Sequence, residues 1–264
     1  MNLVLDLGNS RCKWALARPP GIAEVRNTQE QFFRNDGLVP GGAFAYGDDF
    51  TRALDQAFGT LSRPAQVAAV SVAGAALTDT LARWVKHRWN LDLVRFSARA
   101  VQCGVTNTYK DPAQLGADRW AALIAARARH AAAVCVVDCG TAATVDALDP
   151  KGVFRGGVIL PGLALMRDAL LQRTQGVRDA EGVTGSVLAR TTADGVAAGT
   201  LFGLAGAIDR ILDEQAAELG SAPQVLITGG NAQVLSSLMR HATTLVPDLV
   251  LEGVARIVRA GDAP

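Results

Sequence analysis

Lysine is scarce in this chain: among 264 residues only Lys13, Lys86, Lys110 and Lys151 occur. Trp, His, Asp and Gly follow them, so there is no Gly-Lys-Ser/Thr phosphate loop. No GxGxxG follows an apolar run, which removes a dinucleotide fold, and no GxSxG supplies a hydrolase elbow. Cysteine is sparse as well. Cys12, Cys103, Cys135 and Cys139 show neither CxxC spacing nor a secreted framework, so buried or half-buried reduced thiols are expected. His87, His130 and His241 stand far apart, with no HxxxH or HExxH to hold zinc. Excess charge is missing too: 26 Lys and Arg against 25 Asp and Glu leave a net +1 and no basic stripe, which argues against a nucleic-acid partner. No uninterrupted run of about 18 apolar residues suggests a membrane span. Met1 leads almost directly into an apolar strand without the regions of a leader peptide, so a cytoplasmic protein is expected.

What the chain does have is apolar material, 49% of residues against 19% charged, which is enough for a buried core in one large domain or two modest ones. Leu3 to Leu7, Cys12 to Ala17 and Ile22 to Asn27 read as an antiparallel meander, followed by a Gly-rich stretch with a short strand at Ala43 to Tyr46. A helix is expected over Asp49 to Phe58 and a strand over Gln66 to Val72. Ala75 to Trp89 is an amphipathic helix with Leu77, Leu81, Trp84, Val85 and Arg88 on one face, and Leu93 to Phe96 returns as a strand. Val101 to Leu115 is a polar connector, and a helix follows from about Gly116 to His130. Ala133 to Leu148 reads as two strands around a turn, Val153 to Leu160 as a third, and Pro161-Gly162 opens a helix. Thr192 to Leu219 is a long helix whose Gly199, Gly203 and Gly206 suggest close packing against a neighbour. Gln224 to Thr228 is a strand ending in Gly229-Gly230-Asn231.

The order contains a repeat. Val4-Leu5-Asp6-Leu7-Gly8-Asn9-Ser10 resembles Val136-Val137-Asp138-Cys139-Gly140-Thr141, and each opens a run of three strands. Asp6 and Asp138 stand 132 positions apart, half the chain length of 264. Duplication is the simplest reading: two similar lobes facing a cleft, divided as 1–114 and 115–264.

A strand that delivers an aspartate into a Gly-hydroxyl turn can hold a phosphate chain and its cation, because glycine admits close approach and N–H groups face the anion. Alone, such a turn equally describes a tight hairpin with a capping Asp. Two of them suit ATP, with hydrated Mg2+ or a second cation near the carboxylates. Lys13 can reach a phosphate from the return strand, and Gly229-Gly230-Asn231 can approach the adenosine. Gly116-Ala117-Asp118-Arg119-Trp120 opens a helix, where an acidic residue is favourable for the dipole alone. Beside phosphate, Asp118 can also take a proton from a substrate hydroxyl, while Arg119 can bind an anion bidentately. Asn107 and Tyr109 lie in the connector, within reach of a ligand.

These pieces together resemble the type III pantothenate kinases, a bacterial family of the acetate-and-sugar-kinase/actin superfamily. The residues that carry the resemblance are DLGNSRCKW from Asp6 to Trp14, Tyr109, GADRW from Gly116 to Trp120, DCGTAAT from Asp138 to Thr144, GGVILPGL from Gly156 to Leu163, and Thr192 before Ala193-Asp194-Gly195. They stand in family order over nearly the whole chain. The resemblance implies an α/β fold of two ribonuclease H-like (actin-like) lobes, each a mixed five-stranded sheet with flanking helices, and an ATP cleft between them. It implies ATP-dependent phosphorylation of pantothenate, the first step towards coenzyme A. ATP would meet Asp6, Leu7, Gly8, Asn9, Ser10, Arg11, Cys12, Lys13 and Thr141. Pantothenate would meet Tyr109, Gly116, Ala117, Asp118, Arg119 and Thr192, with Asp118 as general base. Asp138 would bind a monovalent cation, potassium or ammonium, and Asp6 is a candidate for Mg2+. A homodimer is implied, with the pantothenate pocket beside the subunit interface. Three departures are visible: Ser10 stands where many relatives have Thr, Thr191-Thr192 replaces a usual Asn-Thr, and Arg173 to Arg190 lacks the usual proline. The competing readings are an accessory or regulatory protein on the same fold, and another small-molecule kinase of the superfamily. The intact set of Asp6, Asp118 and Asp138 weighs against a binding-only protein.

Overall fold

The computed structural model describes residues 1–18, 37–47, 49–176, 182 and 186–261. In the first part, β1 (Asn2–Leu7) and β2 (Arg11–Ala17) form a hairpin that β3 (Leu38–Ala45) extends antiparallel. After α1 (Phe50–Phe58), β4 (Val67–Ser71) joins β1 in parallel, and β5 (Leu93–Arg95) follows α2 (Ala75–Trp89) to pair with β4. The sheet order is β3-β2-β1-β4-β5. A small hairpin of β6 (Val101–Gln102) and β7 (Val105–Thr106), then a 3-10 turn at Pro112–Gln114, lead into α3 (Ala117–Arg129). The connector expected to be merely polar thus has local structure of its own.

The second part repeats the plan. β8 (Val134–Cys139), β9 (Ala142–Leu148) and β10 (Phe154–Pro161) form an antiparallel meander, followed by α4 (Leu163–Arg173) and α5 (Thr192–Leu219). β11 (Gln224–Thr228) pairs in parallel with β8, and β12 (Thr244–Leu245), after α6 (Ala232–Ser236), pairs in parallel with β11. The order β10-β9-β8-β11-β12 matches the first sheet strand for strand, in sequence order and in direction. Each lobe is therefore a mixed five-stranded ribonuclease H-like sheet, and Asp6 and Asp138 are both the penultimate residue of their first strand.

Contacts draw two compact units: Met1–Arg129 with Asp248–Pro264, and His130–Pro247. The line falls after Arg129 because α3 and the terminal α7 (Leu249–Ala260) pack on each other and on β4. Halves cut at residue 115 follow the sequence repeat, whereas packing keeps α3 with the first sheet. Half-buried Arg129 and buried Glu252 form a two-pronged ion pair across these helices, at 2.7 Å from Nε and 2.6 Å from Nη2.

The first core is aromatic: Phe58 lies edge-on to Trp14 and Phe44 and against Trp84 and Trp89. Trp89, not Arg88, completes the buried face of α2; Arg88 is exposed and donates to the carbonyl of Gly59. The third strand expected at Ile22 to Asn27 lies outside the described residues, and β3 begins earlier than the short strand expected at Ala43 to Tyr46. The glycines of α5 do not pack closely: a Cβ at Gly199, Gly203 or Gly206 would meet nothing within 4 Å. Its buried side consists of Val196, Ala197, Thr200, Leu201, Leu204, Ala205 and Ile208 instead. Among the described residues, α5 is the one helix long and apolar enough in composition to cross a membrane, and 56% of that apolar window is buried within the protein.

Candidate functional site

The first unit supplies an aspartate turn and a helix N-terminus. Asp6 faces Lys13 directly across the β1–β2 pair, which puts both side chains on one face of the sheet. Beyond Leu7 the chain turns through Gly8, Asn9 and Ser10, with Asn9, Ser10 and Arg11 exposed. Gly8 N–H donates to the Arg11 carbonyl at 3.1 Å and closes the turn. Cys12 is buried behind it, and burial, then the charge of Asp6, pushes its thiol far above the ordinary range. Buried and held protonated, it is a packing residue of the first core. Tyr46, which the sequence did not single out, places its hydroxyl on the carbonyls of Gly8 (2.5 Å) and Arg11 (3.0 Å).

At the start of α3, Asp118 folds back so that Oδ1 accepts from Arg119 N–H at 2.7 Å. Gly116 makes this geometry available, since a Cβ there would stand 2.6 Å from Asp118 Oδ1. Burial raises the Asp118 pKa; the Arg119 N–H and the Arg119 charge pull the other way and do not cancel it. A partly buried carboxylate with a raised pKa at a helix start marks a candidate functional residue. Arg119 is itself buried, 8% exposed, and its Nη1 donates to the Tyr109 hydroxyl at 3.3 Å. Tyr109 is fixed in turn: its N–H donates to Asn107 Oδ1 at 3.0 Å, and Asn107 Nδ2 donates to the Pro112 carbonyl at 3.2 Å. The connector and α3 thus bring Asn107, Tyr109, Asp118 and Arg119 together.

The second unit holds Asp138 and Thr141. Asp138 lies between Thr144 on β9 and Thr228 on β11 in register. Gly229, at φ +96°, leaves room for its carboxylate: a Cβ there would stand 2.5 Å from Asp138 Oδ1. Thr144, on the same face as Asp138, buries its hydroxyl without a hydrogen-bond partner among the described residues. A carboxylate beside an orphaned hydroxyl and a glycine-lined backbone is an oxygen-rich cradle of the kind hard cations take. Gly162 donates to the Thr141 carbonyl at 3.0 Å and pins the turn. Burial, then the Asp138 charge, pushes the Cys139 thiol up to about 12. Nearby, a concavity of about 310 Å³ is lined by Leu163, Ala164 and Arg167 of α4, Leu201 of α5, and Asn231 and Val234 at α6. At the start of α5, Thr191 is the cap: its hydroxyl accepts from Asp194 N–H at 3.1 Å and donates to Asp194 Oδ2 at 2.7 Å. The hydroxyl of Thr191 is therefore committed, and Thr192 beside it is exposed.

Residues 2–214 match the family model described as type III pantothenate kinase. The chain belongs to that family. A type III pantothenate kinase of Alkalilimnicola ehrlichii is 38% identical over 97% of both chains. That of Nitrosococcus oceani is 35% identical over 98% of this chain and 94% of its own. Among solved structures, a Campylobacter jejuni protein named for the Baf family of transcriptional activators superposes with a TM-score of 0.58, over 98% of each chain at 18% identity; at that identity the likeness is one of fold. In this type III pantothenate kinase the candidate residues Asp6–Lys13, Tyr109 and Gly116–Arg119 lie in the first unit, and Asp138, Thr141 and Thr192 in the second. Among the described residues no three His, Cys, Asp or Glu side chains gather as a metal cage.

Proposed function

We infer that the chain phosphorylates pantothenate with ATP, the reaction that opens coenzyme A synthesis. Its membership of the type III pantothenate kinases over nearly its full length carries this conclusion. Phosphoryl transfer needs positioning and charge neutralisation more than covalent chemistry from the protein. Asp118 acts as the base. With Oδ1 engaged by Arg119 N–H, Oδ2 takes the proton as the primary hydroxyl oxygen bonds to the γ-phosphorus and the bond to ADP breaks. Arg119, held by Tyr109, binds the pantothenate carboxylate, and Gly116 and Ala117 line the same substrate; Thr192, in the second unit, is assigned to pantothenate on the family resemblance alone. In the first unit the turn from Asp6 to Lys13 receives phosphate; in the second, Thr141 is assigned to phosphate on the family resemblance. The concavity beside Asn231 receives adenosine, with Leu163, Leu201 and Val234 as apolar walls and Arg167 as a polar one. Asp6 is the residue that would hold the Mg2+ accompanying ATP, an ion that would neutralise phosphate charge. The reading extends to a cytoplasmic homodimer, on the family resemblance.

The test is a coupled assay with purified protein, ATP and pantothenate, with phosphopantothenate identified by mass. Pantothenate-dependent ADP release is expected. ADP release without that product, or none at all, would move the chain to an accessory role.

The cradle at Asp138 is assigned to potassium or ammonium. Rates are expected to fall when sodium is the sole monovalent cation, and Asp138→Ala is expected to bring the potassium and sodium rates together. Equal rates of the unmodified protein in both salts would remove the cation from Asp138.

A further inference from the structure

We propose that Tyr46 is a positioning residue for ATP, clasping the β1–β2 turn from the neighbouring strand so that it keeps its phosphate-binding shape. The proposal rests on the reading of Asp6 to Lys13 as the phosphate segment. Tyr46 directly follows β3 and is separated from the turn by 35 to 38 residues of sequence, so the contact is tertiary and not part of the hairpin itself. Its single hydroxyl meets two acceptors, the Gly8 and Arg11 carbonyls, one at each end of the turn. The Arg11 carbonyl also accepts Gly8 N–H at 3.1 Å. Both outer carbonyls are thereby held by donors of the protein itself. The tip residues Asn9 and Ser10 remain exposed. The Tyr46 ring is itself fixed, edge-on to Phe50 at 5.2 Å and 89°, and Phe50 stacks on Phe44. Burial, above all, holds the phenol above its usual pKa, so the group stays a donor at working pH. A two-ended clasp on a Gly-Asn-Ser turn acts on its shape more than on the fold, since β1 and β2 are already paired over six residues each.

Tyr46→Phe removes the hydroxyl and keeps the ring against Phe50. Binding of the non-hydrolysable analogue AMPPNP with Mg2+ is expected to weaken about 3- to 10-fold, the scale of one neutral hydrogen bond. KM for ATP should rise with it, while KM for pantothenate and the melting temperature stay near those of the parent. Unchanged AMPPNP affinity would overturn the proposal. So would a lower melting temperature with both KM values unchanged, which is the mark of a purely structural tyrosine. Asp6→Ala in the same titration separates the two levels. If Asp6→Ala binds AMPPNP normally, the turn is not the phosphate segment and both readings fall. If it loses binding while Tyr46→Phe keeps it, only the clasp falls.

Discussion

Asp118→Asn is expected to lower kcat by about 10²-fold or more, the usual contribution of a positioned general base. The substitution is nearly isosteric, and an amide oxygen can still accept the Arg119 N–H that Oδ1 now receives at 2.7 Å. The start of α3 therefore keeps its geometry, and AMPPNP affinity should stay close to the parent value. What is lost is an oxygen able to take the substrate proton. The pH dependence has a definite sign. Burial raises the folded pKa of Asp118 above its ordinary value, so the base is charged and active above that raised pKa, and kcat falls as pH drops through it. The same shift means ionised Asp118 works against the fold. Its cost is absent below the unfolded pKa, grows between the two values, and is complete above the folded one. Asn carries no such cost, so near neutral pH the variant should melt no lower than the parent. A near-normal kcat would remove Asp118 as the base; a large fall in melting temperature would mean the activity loss reports unfolding.

The site was legible wherever a short motif carries its own chemistry. An apolar run ending in Asp, Gly and a hydroxyl residue names both aspartate turns, and GADR names the helix start, because strand period, glycine and carboxylate are local properties. What escaped is tertiary. β3 carries Pro40, Gly41 and Gly42, which read as loop; Gly41 belongs in a strand because the Trp14 ring lies where its Cβ would be. Tyr46 has no local pattern that ties it to a turn some 35 residues earlier. The duplicated order of strands was visible, yet the return of the last helix to the first unit was not, since helical periodicity does not say which sheet an apolar face will cover. Glycine misled in the same way. Three glycines in α5 suggested close packing and stand in open space, while Gly253, packed tightly against another helix, sits in a helix with no other glycine.

Gly253→Ala is expected to destabilise the first unit by about 3 kcal/mol, although the same change in an unconstrained helix would stabilise it by roughly 0.5–1 kcal/mol. The sign is decided by α3. A Cβ at 253 would overlap the carbonyl group of Ala121 and stand 2.9 Å from its Cα. That neighbour is backbone inside a helix, so it cannot rotate away; the two helices must separate. Glu252, the adjacent residue, holds Arg129 with two hydrogen bonds and is 4% exposed. Separation stretches that ion pair, and leaving a buried charge without its partner costs about 3–5 kcal/mol when complete. Asp118 and Arg119 sit less than one turn before Ala121 on the same helix, so the displacement also reaches the base. A fall in melting temperature of roughly 6–12 °C is expected from the scaling for chains of this size, together with a lower kcat at temperatures where the variant is folded. Gly199→Ala is the control: in α5 the new methyl meets nothing within 4 Å, so its melting temperature should hold or rise. Should Gly253→Ala melt as high as the parent, α3 and α7 cannot be packed as closely as Gly253 and Ala121 require, and the anchoring of Asp118 through the C-terminal helix would be lost with that contact.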